Sequence, residues 1–333
     1  MSVDLPSRLH RAYRNAHSSM SILRQQKYPK IKLARARGIV LLMVLRVIVL
    51  LTVLVSSYVQ SASTEGQQAR FMLNTTQARY AAEAGMHRAI FELYNPTTEM
   101  RWKGDGRPYE MSFDGANVTI EIVDETGKID INNSDQKLLA AMFARAGLEP
   151  LRAEKLAGAV VDWRDPDELL SINGAEKGEY ISAGLKTGPR NQYFVTVSEL
   201  QQVLGMDYEL FQRLEPMLTI TSNGTSVPNL AFAQLDALAV ALAQMGQNLS
   251  QEQLQAIIAM RQLSKPGIPV TLPGGITIPP AMGGGQGGNY TIKVRAVLAN
   301  GAKATLEATV QLSYGTVGDR PYRTSRWREG HSN

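Results

Sequence analysis

The chain has 333 residues, 44% of them apolar, enough for one large domain or two ordinary ones with a real core. It has no cysteine and only four histidines, which excludes disulfides, thiol nucleophiles and thiolate metal sites and argues against a zinc enzyme. The formal charge of +5 is local in origin: residues 1–38 hold nine Lys/Arg against the single acid Asp4, while the rest carries 26 bases and 29 acids. The body is thus mildly acidic, which weakens a nucleic-acid reading of it.

The basic leader, residues 1–38, ends at Gly38. From Ile39 to Val55 only Arg46 and Thr52 interrupt an apolar run. A helix extended to Val59 reaches roughly 30 Å, one hydrocarbon core. The positive flank predicts a single-pass segment over 39–59 with a cytoplasmic N-terminus and a translocated body. A secretory signal peptide is the plainer alternative. Against it, "VSSYVQSAS" closes on no small-residue cleavage site and runs into further helical pattern. Ala69, Met72, Leu73, Thr76, Tyr80, Ala84, His87 and Phe91 recur at three- and four-residue steps, which predicts a stem helix over 60–95, stopped by Asn95-Pro96.

Arg46 sits eight residues into the apolar segment that starts at Ile39. A charge at mid-membrane costs roughly 2.5–3.5 kcal/mol on insertion scales and is usually paired or functional. Two accounts stand side by side: the side chain snorkels back to the cytoplasmic face, or it pairs with an acid on a neighbouring membrane helix.

After Pro96, Tyr109–Phe113 and Val118–Val123 alternate in strand fashion around the turn Asp114-Gly115-Ala116-Asn117. Near the other end, "YTIKVRAVLANGAKATLEATVQLS" predicts two more strands with Asn300-Gly301 as the hairpin signal. Between the two pairs, short helices are predicted at Ser134–Ala146, Pro150–Trp163, Ser198–Leu204, Tyr208–Leu214, Ala231–Met245 and Ser250–Gln262. A Gly/Pro-rich linker, 271–288, then returns the chain to the sheet. The predicted class is α+β: a long N-terminal helix on a small antiparallel sheet, split into 96–129 and 289–333 by an all-α insert at 130–270.

Three stretches of the insert repeat a helix, a short turn with glycine (Gly147, Gly205, Gly246) and a second helix. They resemble helix-hairpin-helix units of the SAM-like group, which often grip nucleic-acid backbone. That supports an alternative function, a membrane-anchored nucleic-acid-binding module of a DNA-uptake or pilus system. Asp130 to Lys265, however, hold 11 bases and 16 acids, and two of the three turns, "AGLEP" and "LGMDYE", carry acids, so no nucleic acid is expected.

The loop "DWRDPDELLSINGAEKGEY" carries Asp162, Asp165, Asp167, Glu168, Glu176 and Glu179. Crowded oxygen ligands suit Ca²⁺, but the spacing is not that of an EF-hand. On spacing alone the loop reads equally as a solvated acidic surface. No nucleophile–base constellation is present, and His10, His17, His87 and His331 are scattered, so no enzyme is expected.

Basic residues, then Gly38, then an apolar helix resemble the class III prepilin leader, which implies cleavage between Gly38 and Ile39 by a prepilin peptidase and methylation of the new N-terminus. Ile39 and Met43 stand where pilins usually have Phe and Glu. Together with "VDETGKIDINN", "VVDWRDPDE", "NGAEKGEY", "VSELQQVLGM", "RLEPMLTI" and "RPYRTSRWREG", in that order, the chain resembles the general secretion pathway protein K family, minor pseudopilins of type II secretion. That family itself lacks the fifth-position Glu; "VPNLAF" departs from its usual Asn-rich start to the last helical unit. The resemblance implies a type IV pilin-like fold and a noncatalytic protein in the inner membrane of a Gram-negative cell, its body periplasmic. It implies a tip position on the pseudopilus, capping it and supporting export of folded exoproteins. Its implied partners are other minor pseudopilins, the prepilin peptidase, the inner-membrane secretion platform and exoprotein cargo. It tilts the acidic loop toward calcium, and gives Arg46 a specific partner, the fifth-position Glu of a neighbouring stem.

Overall fold

The computed structural model describes residues 34–222, 224–264, 268–272, 275–280, 287–313 and 320–330. Most of the predicted leader therefore lies outside the described residues. The chain divides into a unit ending at Gln68 and a unit from Ala69 onward.

In the first unit, helix α1 (Ala34–Leu93) begins, passes Gly38 without a break and carries the apolar run. The span is long and apolar enough to cross a membrane, and its side chains from Ile39 to Val59 are exposed. Thr52 Oγ1 donates back to the Ile48 carbonyl at 2.8 Å, which satisfies the one hydroxyl of the run without water.

In the second unit α1 ends at Leu93, just before Asn95-Pro96, as the sequence predicts. Strands β1 (Asp105–Phe113) and β2 (Ala116–Asp124) follow. The insert then holds β3 (Ile129–Asp130), α2 (Gln136–Arg145), α3 (Pro150–Arg164), α4 (Lys177–Ser182), α5 (Tyr208–Leu214), β4 (Leu218–Thr219), α6 (Leu235–Gln244), α7 (Gln251–Leu263), β5 (Val270–Thr271) and β6 (Thr277–Ile278). The chain returns through β7 (Asn289–Leu298), β8 (Lys303–Leu312) and β9 (Tyr322–Gly330). The main sheet has the order β1-β2-β7-β8-β9, antiparallel throughout, so the whole insert lies between two neighbouring strands.

Period-two alternation sorts the sheet into two faces. Val118, Ile120, Ile122, Ile292, Val294, Leu306, Ala308 and Val310 are buried with Ala78, Ala81, Ala82, Met86 and Ala89 of α1 in one core. Gly85 sits at the closest approach: a Cβ there would lie 2.7 Å from Val294 and 2.8 Å from Val118. On the opposite face, register sets Glu121 beside Lys293, Lys293 beside Glu307 and Glu307 beside Arg328, a row of alternating charge.

The insert has its own core, with Phe143, Trp163, Leu210, Leu214, Leu238 and Leu254 among its members. Short polar residues start its helices: Asp135 accepts from Leu138 N at 2.7 Å and Asp207 from Leu210 N at 2.8 Å. The helix pairs turn at Gly147, Gly205 and Gly246, all at positive φ.

Several boundaries differ from expectation. The β1–β2 turn is two residues, Asp114-Gly115, both at positive φ, so Ala116 and Asn117 belong to β2. Asn300-Gly301 does lie in a hairpin, but Leu298 N bonds Ala302 O, giving a longer turn with only Gly301 left-handed. The segment Val197–Gln202 is a 3₁₀ turn instead of an α-helix, and the helix expected from Ala231 starts at Leu235. Part of the Gly/Pro-rich linker is built into the insert, because β5 and β6 pair and Leu272 and Ile278 join its core.

Candidate acidic cation site in the insert

The acidic loop follows the last turn of α3. Gly158 and Asp162 stand four residues apart and so share a face of that helix. Any Cβ on Gly158 would strike the backbone of Asn173 and Gly174, and one on Gly174 would strike the Asp162 carboxylate. The loop is thus drawn back onto α3 at two successive turns. Asp162 is fully buried and accepts from Ser171 N at 3.2 Å, so its carboxylate ties the middle of the loop to the last turn of α3.

Asp165 is the C-cap of α3, and Glu176 is the N-cap residue of α4. The Glu176 N–H donates to Glu179 Oε2 at 2.9 Å. Asp167 Oδ1 accepts from Leu169 N, and its carbonyl accepts from Asn191 Nδ2. Beneath the loop Trp163 packs on Phe194, with ring centroids 6.0 Å apart, and on Tyr180, at 6.2 Å. Those aromatics are buried floor.

The electrostatics are unfavourable as the chain stands. Among the described residues, both oxygens of the buried Glu176 carboxylate lack a hydrogen-bond partner, as do Asp165 Oδ1 and Asn191 Oδ1. Burial pushes the Glu176 carboxyl up to about 7, reinforced by the charges of Asp162, Asp165, Glu168 and Asp167. Burial likewise raises Asp165, with Asp162 and Asp167 adding to it against the lowering effect of Arg164. The structure therefore brings Asp162, Asp165, Asp167, Glu168 and Glu176 within mutual electrostatic reach, and spends Glu179 on capping α4. Among the described residues no three acidic or imidazole side chains already converge as metal ligands. Buried carboxylate oxygens without partners nevertheless fit a hard cation, which would supply the missing charge and contacts.

Asn191 was not legible as part of this site. It lies outside the acidic run, at φ 53°, and reaches the loop only because the chain folds back past Trp163, whose carbonyl accepts from Gln192 N at 3.3 Å. Gly38, Ile39, Met43 and Arg46 all lie on α1 in the first unit. Arg46 has no ion-pair partner among the described residues, and no acid occurs between Gly38 and Thr64.

Residues 118–223 match the family model described as type II secretion system (T2SS), protein K. The chain is 32% identical over 232 residues to the type II secretion system protein K of Klebsiella pneumoniae, covering 63% of this chain and 70% of that protein. It is 24% identical over 238 residues to the protein K of Dickeya chrysanthemi, covering 56% and 66%. The match thus spans about two thirds of these relatives' own length. The fold is similar, at a TM-score of 0.50 and 16% identity, to a crystal structure of the GspK-GspI-GspJ complex from the type 2 secretion system of enterotoxigenic Escherichia coli, covering 81% of this chain and 100% of that one.

Proposed function

The chain belongs to the type II secretion system protein K family, and from that premise we propose that it is the minor pseudopilin at the tip of the pseudopilus, where it caps the fibre and supports export of folded proteins. The carrying observation is topological. A helix-on-sheet body of the kind that stacks through its stem is interrupted between β2 and β7 by an insert larger than the sheet. An appendage of that size fits the end of a stack better than its interior.

In this reading the insert's helix pairs are helix-hairpin-helix, SAM-like units used as scaffold. Basic side chains near the turns are engaged within the insert: Arg213 Nη1 donates to the Ala146 carbonyl at 2.9 Å, and Arg152 pairs with Asp207 at 3.0 Å. This and the insert's acidity favour a protein-assembly role over nucleic-acid binding.

In the reading we favour, a prepilin peptidase cuts between Gly38 and Ile39, Ile39 is methylated, and the apolar run stays as a single-pass inner-membrane anchor with the body periplasmic. Arg46, one turn beyond Met43, pairs with the stem Glu of a neighbouring pseudopilin. Asp162, Asp165, Asp167, Glu168 and Glu176 hold calcium, which neutralises the loop and fixes it to α3. Other minor pseudopilins, the inner-membrane platform and exoprotein cargo are the expected partners.

The test is co-purification of the full chain with the other minor pseudopilins from detergent-solubilised membranes, alongside a secretion assay. The parent should recover them and support secretion. Gly38→Val should accumulate a slower-migrating precursor and secrete nothing. A parent chain that stays unprocessed, recovers no pseudopilin and is dispensable for secretion would overturn the proposal.

A further inference from the structure

β9 is an edge strand. Among the described residues it pairs only with β8, carries a register shift where Ser325 is extra, and leaves most of its side chains exposed. Strand alternation nevertheless gives it two working faces. On one face Trp327 Nε1 donates to Glu329 Oε1 at 3.1 Å, and that carboxylate pairs with Arg79 of α1 at 2.9 Å. On the other face Arg326 and Arg328 both reach Glu215 Oε1, at 2.7 and 2.5 Å.

Glu215 belongs to the insert. It opens the 3₁₀ turn Glu215–Met217 that joins α5 to β4. Partial burial pushes its carboxyl up, but the hydrogen bonds and charges of Arg328 and Arg326 together outweigh that and hold it below the ordinary carboxylate range. One carboxylate shared by two guanidiniums in a partly covered position is a stronger tie than an exposed pair.

The insert meets the sheet elsewhere too. Gln234 Nε2 donates to the Asp105 carbonyl at 3.1 Å on the β1 side, and Glu125 accepts from Thr219 and Thr291 at 2.5 and 2.7 Å near the middle. Between these ties lies a cleft of about 480 Å³, lined by Glu121, Lys293 and Glu307 of the sheet and Met217, Leu235 and Asp236 of the insert. Its β9 side is lined by the bridged Arg326, Glu215 and Arg328.

We propose that β9 is a two-sided strap that couples the insert to the stem helix, Glu329 holding one face to Arg79 and Arg326 with Arg328 holding the other to Glu215. Displacing β9, as a partner on the stem or at the sheet edge would do, then frees the α5–β4 corner and opens the charged cleft. The terminal strand is in this sense the link through which events at the stem reach the insert. It stands whether or not the chain caps a fibre.

Hydrogen–deuterium exchange on the full chain in detergent tests this. Glu215→Gln should raise exchange in β9 and in residues 208–219 by roughly tenfold, with α2, α3 and β7 unchanged. Arg79→Gln, which touches the stem side alone, should raise exchange in β9 and, through it, in 208–219. Unchanged exchange at that corner in either variant would overturn the coupling. Should Glu215→Gln lose the insert fold, Arg326→Gln with Arg328→Gln removes the same tie from the β9 side and leaves Glu215 and the insert's own sequence intact. That pair should raise exchange in 208–219 as well, and unchanged exchange there would sink the proposal.

Discussion

Gly174 lies so close against the Asp162 carboxylate that a side chain of any size on it would overlap the carboxylate oxygens. Asp162 is buried and holds Ser171 N, and neighbouring Asn173 and Gly174 lie on Gly158. The acidic loop therefore has little room to yield. Gly174→Ala should destabilise the chain by about 1–3 kcal/mol, the usual range for overpacking a fitted site. Thermal melting of the parent and variant checks this, and an unchanged midpoint would mean that the loop has another resting place.

Calcium should raise the thermal midpoint. An ion bound only by the native state at a hundredfold excess over its Kd adds about 2.7 kcal/mol. Asp165→Asn combined with Asp167→Asn should remove that gain, and in chelator should leave the midpoint no lower than the parent's, since two charges of the repulsive cluster are gone. A parent chain that melts alike in calcium and in chelator would make the loop a solvated acidic surface.

The pH dependence has a definite sign. Glu176 titrates near 4.5 in the unfolded chain and about 7 in the fold, where burial and the charges of Asp162, Asp165, Glu168 and Asp167 oppose its ionisation. Without metal, the folded state holds this proton more tightly. Its contribution to stability is full below about pH 4.5 and is lost as pH rises to about 7. Glu176→Gln should therefore stabilise the chelated protein at pH 8 and change little at pH 4. In calcium the order should reverse, since the ion requires the carboxylate. Loss of the pH 8 difference in chelator would place Glu176 outside a repulsive cluster.

Arg46→Leu should insert into membranes better than the parent, because no charge remains to desolvate. If Arg46 pairs with a partner stem, the variant should nevertheless crosslink fewer partner pseudopilins and secrete less. The loss should fall below the about 3–5 kcal/mol seen when a buried pair in a soluble protein loses one member. Arg46→Lys should retain part of the function, keeping charge without the guanidinium fork. Parent-like crosslinking and secretion by Arg46→Leu would favour snorkelling.

The elements set by local chemistry were legible in the sequence. Three- and four-residue apolar steps through Phe91 marked a helix that ends just before Asn95-Pro96, and alternation at Val118–Val123 and in "YTIKVRAVL" marked strands whose buried faces the fold realises. Glycine and acid positions marked the insert's turns and its acidic loop. These signals lie within a few residues of one another, where the chain's own period decides which side chains share a face. What only the tertiary structure decided was pairing across distance. It put β2 beside β7 across the insert, drew Asn191 to the acidic loop, set Gly174 on Asp162 and brought Arg326 and Arg328 to Glu215. No local period encodes such meetings. They follow from how two separate cores close against each other, and the polar groups left at that junction take whatever partners the closure brings within reach.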